Sequence, residues 1–210
     1  IISSYDSSTF TYRDLVWNRS AIGGSNGESI HMIGVTAPTG LSGTIYNGLD
    51  GALLYYRSQD GGKSWKRILF VSDKAGVGDI VLDPNNPRII YASTWEMKRN
   101  GYRMDSGGSD SKIFRSTNGG ETWNDISNLP GLPKFPWGIV GISISPVNSD
   151  RIWVMIEAEN GGLFRSDDGG EKWKKVNSNR SLRQRAWYYT RIYADTQNED
   201  KIYVLNVSYG

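Results

Sequence analysis

The sequence contains no cysteine and only one histidine, His31. Without cysteine there can be no disulfide framework and no thiolate metal site, and a single imidazole leaves no histidine cluster for zinc. We expect no metal ion and no organic cofactor. Long apolar runs are also missing: none approaches the ~20 residues of a membrane-spanning helix, so no membrane span is expected. The chain opens at Ile1 without a signal-peptide pattern, and we expect the numbering to begin inside a longer or processed chain.

The sequence has no marked excess of charge of either sign. Its 24 lysines and arginines are nearly balanced by 22 aspartates and glutamates, and the two kinds are interspersed along the chain. This distribution differs from the basic stripe of a nucleic-acid-binding protein, so we expect no nucleic acid as a partner. A hydrophobic fraction of 38% with 25 glycines is ordinary for a globular, turn-rich β protein.

An eight-residue pattern that ends in tryptophan occurs three times, beginning at Ser58, Ser116 and Ser166, and a degenerate copy begins at Ser4. In each full copy a short polar side chain can accept hydrogen bonds from N–H groups of its own loop, and two glycines supply positive φ angles. The tryptophan can fold back over the loop. Each full copy follows an apolar run ending in Arg-Ser and precedes a second short run, which is typical of a β-hairpin. We predict a structural role for Asp6, Asp60, Asn118, Asp168, Trp65, Trp123 and Trp173.

The pattern repeats at the spacing of a propeller blade. The four copies are 54, 58 and 50 residues apart, close to the ~40–50 residues of known blades. Strand-turn-strand units rich in Ile, Val and Tyr alternate with the copies at residues 33–46, 80–91, 142–154 and 192–204. Each blade is therefore predicted to have four strands, with the repeated loop between the third and the fourth. The predicted blades are residues 1–18 (the end of one), 31–70, 79–126, 139–176 and 189–210 (the start of another).

The repeated loops resemble the Asp-box, Ser/Thr-x-Asp-x-Gly-x-x-Trp, of sialidases, sortilins and xyloglucanase-type glycosidases. Residues 71–210 are also similar to bacterial secreted sortilin-like or "glycosyl hydrolase" propeller proteins, on the basis of residues 79–84, 161–164 and 182–189. The resemblance implies an all-β Asp-box propeller of four-stranded blades in an extracellular or periplasmic compartment. The roughly four repeats could close a ring or form a segment of a larger propeller. We favour the segment, because Asp-box propellers usually have six or more blades.

Known propellers imply that the loops sort onto two faces. The turns between first and second strands share a face with the Asp-boxes. The loops between second and third strands, and those between blades, share the opposite face, where ligands usually bind. The predicted loops of this loop face are residues 47–51, 71–78, 95–111, 127–138, 158–161 and 177–188. The loop at 95–111 carries an insertion of 12 residues relative to the other blades.

Aromatic residues are frequent in these loops. Trp95, Trp137 and Trp187 fall there, close to Tyr102 and Tyr188. Such side chains can form a stacking platform for sugar rings or for apolar side chains of a peptide. The alternative is that they cover the blade cores beneath the loops.

Three acidic residues are candidates for catalysis. Glycoside hydrolysis needs two carboxylates across the scissile bond. Asp79, predicted to begin a strand that lines the central channel, could face Glu96 or Glu157 in the loops. The alternative is that these carboxylates accept N–H groups or pair with arginines.

Arginines are concentrated near the end of the chain. Arg183 and Arg185, together with Arg180 and Arg191, could hold a carboxylate or a sulfate beside Trp187, or could be solvated or paired. The Phe-Arg-Ile-Pro opening of sialidases is absent, and no tyrosine nucleophile with its glutamate partner can be assigned, which argues against a sialidase.

The sequence therefore favours a recognition module that binds a protein or glycan ligand or joins a larger protein assembly. The alternative is a glycoside hydrolase with a pair of acids at the propeller mouth. The predicted binding residues are Trp95, Tyr102, Trp137, Arg183, Arg185, Trp187 and Tyr188.

Overall fold

The computed structural model describes residues 30–35, 53–60, 64, 66–72, 74–99 and 102–206. The degenerate Asp-box with Asp6, the predicted blade end at residues 1–18, the loop at 47–51 and Trp65 lie outside these residues. The described chain is built of short strands, with one four-residue helix, α1 (Ala186–Tyr189), and one 3-10 turn at Arg180–Arg183. The strands are β1 (Ile30–Val35), β2 (Leu53–Ser58), β3 (Lys66–Leu69), β4 (Ala75–Leu82), β5 (Ile90–Arg99), β6 (Met104–Ser106), β7 (Ile113–Ser116), β8 (Asn124–Asp125), β9 (Val140–Ile144), β10 (Ile152–Ile156), β11 (Gly162–Ser166), β12 (Lys174–Asn177), β13 (Arg191–Ala194) and β14 (Ile202–Leu205).

These strands form four antiparallel sheets in chain order. Strands β1, β2 and β3 make the first sheet, and β4, β5, β7 and β8 make the second, with β6 added beside β5. Strands β9 to β12 make the third sheet, and β13 and β14 pair in the fourth. In the first sheet β1 pairs directly with the strand that enters the Asp-box. Strand β1 therefore corresponds to β5 and β10, which are the second strands of their blades. The strand-turn-strand unit predicted at residues 33–46 would instead have made it a first strand.

The two inner strands of the third sheet are buried on both faces. Every residue of β9 and β10 is buried, which explains why both strands are almost continuously apolar. Alternate side chains of β10 serve different cores: Val154 packs toward the second sheet, whereas Trp153 and Met155 pack toward the fourth. This two-residue alternation is expected for a strand whose sheet packs against a different sheet on each face.

The hydrophobic cores lie between consecutive sheets. Tyr55 and Leu69 of the first sheet pack with Ile80 and Ile90 of the second. A larger cluster joins Tyr91, Ile113 and Ile126 of the second sheet to the third, and the cluster around Trp153 joins the third sheet to Ile192 and Val204 of the fourth. The innermost strands β4, β9 and β13 contact one another in that order. Sheets that pack face to face around an inner row of first strands are propeller blades, so the predicted all-β propeller fold is confirmed.

The Asp-boxes are compact hydrogen-bonded loops. In the box at Ser166, Asp168 Oδ1 accepts hydrogen bonds from the Ser166 hydroxyl at 2.8 Å and from the backbone N–H groups of Glu171 and Lys172 at 3.1 and 2.9 Å. Two glycines, Gly169 and Gly170, adopt positive φ angles of 68° and 94°. The box at Ser116 has the same arrangement, with Asn118 Oδ1 as the acceptor from Ser116 and from the N–H of Thr122.

The boxes at Ser116 and Ser166 also contact the turn that joins the first two strands of their blades. The N–H of Gly119 donates to the carbonyl of Arg88 at 2.8 Å, and the N–H of Gly169 donates to the carbonyl of Asp150 at 3.0 Å. Arg88 and Asp150 lie between β4 and β5 and between β9 and β10, respectively. The boxes and these turns therefore share one face of the blades, which we call the box face.

The arginine that precedes each box links its blade to the next one. Arg57 pairs with Glu121 of the following box, and Arg115 Nη1 lies 2.9 Å from Glu171 Oε1 of the one after that. Arg165 continues the series with an ion pair to Asp200, in the turn of the fourth sheet, at 3.0 Å. The repeated Arg-Ser pair at the end of the third strand thus serves both sides of the blade, because the serine bonds the box and the arginine bonds the neighbour.

Candidate binding site on the loop face

The insertion in the second blade extends that blade on the loop face. Strand β5 continues to Arg99 and pairs with β6, so that Met97 lies opposite Ser106. The next residues contact the loop that leads into β9: the N–H of Gly108 donates to the carbonyl of Trp137 at 3.1 Å. A Cβ on Gly107 would lie only 2.5 Å from that same oxygen, so glycine is required for this approach. The insertion is therefore fastened to the third blade.

Trp137 lies beneath this contact and is fully buried. Its indole Nε1–H donates to the carbonyl of Pro133 at 3.0 Å, and Phe135 stacks on its ring with the centroids 4.6 Å apart. The side chain belongs to the large core between the second and third blades. The expectation that Trp137 contributes to the binding surface is therefore corrected, because the docked insertion and the core leave no part of its side chain exposed.

Trp95 and Trp187 meet on the loop face. Their rings form an edge-to-face pair with centroids 4.9 Å apart, and both side chains remain partly exposed. The indole Nε1–H of Trp95 donates to the Ser106 hydroxyl at 3.0 Å. The pair joins β5, within the predicted loop region 95–111, to α1, within the predicted loop region 177–188. The sequence assigned both regions to the same face.

Glu157 and Glu96 fasten the insertion. Glu157 Oε2 accepts hydrogen bonds from the Ser106 hydroxyl at 2.6 Å and from the N–H of Ile139 at 3.0 Å. Glu96 Oε2 accepts the N–H of Asp110 at 3.2 Å. Both candidate acids thus lie on the loop face, each with one oxygen bound to the loops. Ser106, which connects Trp95 to Glu157, was not singled out in the sequence, since no motif or spacing marks it.

Asp79 has a different environment from the two glutamates. Its side chain is buried, and its Oδ1 lies 3.0 Å from Arg191 Nη1. Oδ1 also accepts the N–H of Ile80, while Oδ2 accepts the N–H of Ile142 at 3.0 Å. Asp79 therefore ties β4 to β9 and β13. With both oxygens bound inside the scaffold, it is poorly placed to protonate or attack a ligand.

Exposed aromatic and basic side chains are present on the loop face. Tyr102, on the insertion, is fully exposed, and Tyr188 is 63% exposed. Arg185 is exposed three residues before Tyr188, at the start of α1, where its carbonyl accepts the N–H of Tyr188 at 2.9 Å. Arg183 is partly buried, and its Nη1 donates to the carbonyl of Ala158 at 2.8 Å. Partial burial, followed by the nearby charge of Arg180, lowers the pKa of the Arg183 guanidinium.

Among the described residues, no group of three or more His, Asp or Glu side chains is arranged to hold a metal ion. The described part of the chain also contains no helix that is long and apolar enough to cross a membrane. The chemistry that the described loop face offers is therefore stacking, hydrogen bonding and charge pairing, with Glu96 and Glu157 as its partly bound acids.

The sheets, the boxes and their repeated spacing define the chain as an Asp-box β-propeller. The family model of Sortilin-Vps10, described as "Sortilin, neurotensin receptor 3", matches residues 54–209. Because that match covers most of the chain, the protein belongs to the Sortilin-Vps10 family. No curated protein matches the chain.

Two solved structures have a similar fold. The GH74 enzyme of Niastella koreensis superposes with a TM-score of 0.56 at 21% identity and covers 85% of this chain. The GH74 xyloglucanase of Xanthomonas campestris superposes with a TM-score of 0.56 at 16% identity and covers 88% of this chain. In both cases the match spans 25% of the other protein's chain. These similarities establish the propeller fold and agree with the prediction of a segment of a larger propeller.

Proposed function

We propose that the protein is an extracytoplasmic recognition module that binds a polypeptide or a polysaccharide on its loop face, with no metal or organic cofactor. The observation that carries the proposal is the exposure of Tyr102 and Tyr188 on loops that are fastened to the scaffold. Exposed aromatic side chains on a preformed surface provide contact area at a low cost in conformational entropy. Membership of the Sortilin-Vps10 family is compatible with the extracytoplasmic location that we propose.

The position of the acids supports recognition over catalysis. Hydrolysis of a glycosidic bond requires two carboxyl groups that reach the bond from opposite sides. Asp79 is bound through both oxygens inside the scaffold, and Glu157 holds Ser106 and the backbone of Ile139. Asp79 therefore has no oxygen left for a ligand, and Glu157 has one of its two oxygens engaged by the scaffold.

A screen against arrays of glycans and peptides tests the proposal. We expect a ligand whose affinity falls at least about fivefold, equivalent to ~1 kcal/mol, in Tyr102→Ala or Tyr188→Ala, because exposed aromatic residues are frequent anchors of binding surfaces. The matched control is Asp168→Asn on the box face, which should bind like the wild type. A ligand that is lost in the control and kept in both tyrosine variants would refute the loop face as the binding surface.

The second candidate is a glycoside hydrolase. It is favoured by the similarity of fold to two GH74 enzymes and by the presence of Glu96 and Glu157 on one face. The test is the release of reducing ends from xyloglucan and other polysaccharides. Turnover that disappears in both Glu96→Gln and Glu157→Gln, while the two variants keep the melting temperature of the wild type, would establish this function in place of pure recognition.

A further inference from the structure

The segment that leads into the fourth sheet is strongly positive. Residues 172–194 contain no aspartate or glutamate, although the chain as a whole is nearly balanced. Within it, Arg180, Arg183 and Arg185 fall in six consecutive residues. We refer to residues 180–189, which include these arginines and α1, as the arginine loop. Three of the positive charges of this segment are thus placed on one loop of the loop face.

The arginine loop is held in place by contacts at several points. Arg183 bonds the carbonyl of Ala158, and Asn206 Nδ2 donates to the carbonyl of Leu182 at 2.9 Å. Ala186 is buried, and its carbonyl accepts the Thr190 hydroxyl at 2.6 Å. The edge-to-face contact of Trp187 with Trp95 fixes the far end. A loop anchored in this way presents its exposed side chains in a defined arrangement before any ligand arrives.

The arginines of this loop differ from most others in the described chain. Six arginines elsewhere form ion pairs with carboxylates: Arg57, Arg103, Arg115, Arg151, Arg165 and Arg191. Within the described residues, Arg180, Arg183 and Arg185 have no carboxylate at ion-pair distance. Glu157 attracts Arg183 at longer range, but its Oε2 is bound by Ser106 and Ile139. The positive charge of the loop is therefore only partly compensated.

Exposed aromatic rings accompany this charge. Tyr188 and Tyr189 are 63% and 39% exposed, and their ring centroids lie 6.3 Å apart. Guanidinium groups pair with carboxylates through two parallel hydrogen bonds, and tyrosine rings stack on the apolar faces of sugars. The arginine loop thus offers two kinds of contact within ten consecutive residues.

We infer that the arginine loop binds a carboxylate-bearing polysaccharide, in which each uronic acid supplies a carboxylate for an arginine and a ring face for a tyrosine. This inference rests on the proposed recognition function and names its ligand class. An acidic peptide presents carboxylates without the apolar ring faces, and a neutral polysaccharide presents ring faces without the charge. The combination of only partly compensated arginines and exposed tyrosines therefore favours the acidic polysaccharide over both.

The test compares three polymers with the 210-residue chain by calorimetry: polygalacturonate, neutral xyloglucan and polyglutamate. We expect polygalacturonate to bind most tightly, with an affinity that falls as sodium chloride is raised, because salt screens exposed charge pairs. The double variant Arg180→Gln/Arg185→Gln should lose at least about tenfold in affinity, since two charge-assisted contacts are removed. Its loop anchors, Arg183 and Trp187, are unchanged.

The control removes an arginine charge from the opposite face. Arg88 is exposed on the box face, and Arg88→Gln should change polygalacturonate binding less than about twofold, as expected for a distant surface charge. Xyloglucan or polyglutamate binding as tightly as polygalacturonate, or equal losses in Arg88→Gln and the double variant, would overturn the inference and leave a recognition function in place. Binding of none of the three polymers would also overturn it, and the array screen would then decide the proposed function separately.

Discussion

Replacement of Asp168 by alanine or asparagine separates the structural role of an Asp-box from the charge of its acid. In the wild type, one atom, Asp168 Oδ1, accepts three hydrogen bonds, from the Ser166 hydroxyl and from the N–H groups of Glu171 and Lys172. Alanine removes this acceptor. Asparagine keeps an oxygen in the same place, and Asn118 already performs this role in the preceding box.

The expected losses follow from the number and exposure of these bonds. A single intramolecular hydrogen bond contributes about 1 kcal/mol to the free energy of unfolding, and the two N–H groups at Glu171 and Lys172 are exposed enough to be hydrated instead. We therefore expect Asp168→Ala to cost roughly 1–3 kcal/mol. For a chain of this size that corresponds to a decrease in Tm of about 2–12 °C. Asp168→Asn should stay within about 0.5 kcal/mol of the wild type.

Urea unfolding followed by circular dichroism measures these free energies, and thermal unfolding gives the Tm. Ligand binding at a temperature where both variants are folded provides the second measurement, and it should be unchanged because the box lies on the face opposite the loops. An Asp168→Ala variant with wild-type stability but without ligand binding would show that the assignment of structural and binding faces is wrong.

Two further predictions concern the core and the response to pH. Trp137→Ala should lower the free energy of unfolding by about 3–5 kcal/mol in urea titrations, because it empties a fully buried site, and a loss below 1 kcal/mol would contradict that burial. The Tyr203 hydroxyl donates to Asp195 at 2.7 Å and, as the largest cause, lowers the pKa of this carboxyl to about 2. A carboxyl whose pKa is lower in the folded state stabilises the fold above its ordinary pKa of about 3.9, and this contribution is lost as the pH falls toward 2. Thermal unfolding between pH 5 and 2 should therefore show a smaller decrease in Tyr203→Phe than in the wild type, and equal decreases would contradict the assigned cause.

The parts of the structure that the sequence predicted best are those determined by neighbours in the chain. The Asp-box closes through bonds between residues two to four positions apart, such as Ser166 to Asp168 and Lys172 to Asp168. Short polar side chains and paired glycines at fixed spacing are sufficient to specify such a loop. The repeat of that loop then indicated the blades, since a unit that recurs every 50 to 58 residues is typical of a propeller.

The parts that the sequence left open depend on contacts between distant residues. Asp79 and Arg191 are 112 positions apart, and Ser106 and Glu157 are 51 positions apart. No local sequence pattern distinguishes a carboxylate that is bound by distant residues from one that is free. The sequence alone therefore leaves Asp79 as a candidate for catalysis, whereas the structure shows that Arg191 and the N–H of Ile142 bind it. The exposure predicted for Trp137 was wrong for the same reason, because its side chain is buried in the core between two blades and an insertion from another blade contacts its backbone.

The most direct test of recognition on the loop face is a titration of the ¹⁵N-labelled protein, followed by NMR of the tryptophan indole N–H groups, with the ligand found by the array screen. These signals report separately on the two faces. Trp95 and Trp187 meet on the loop face. Trp123 and Trp173 belong to Asp-boxes: the Nε1–H of Trp123 donates to the carbonyl of Ile68 in β3, and that of Trp173 donates to the carbonyl of Gly170 in its own box. The account predicts that the signals of Trp95 and Trp187 shift as ligand is added and that those of Trp123 and Trp173 stay in place. Shifts confined to Trp123 and Trp173 would place the ligand on the box face and contradict the account.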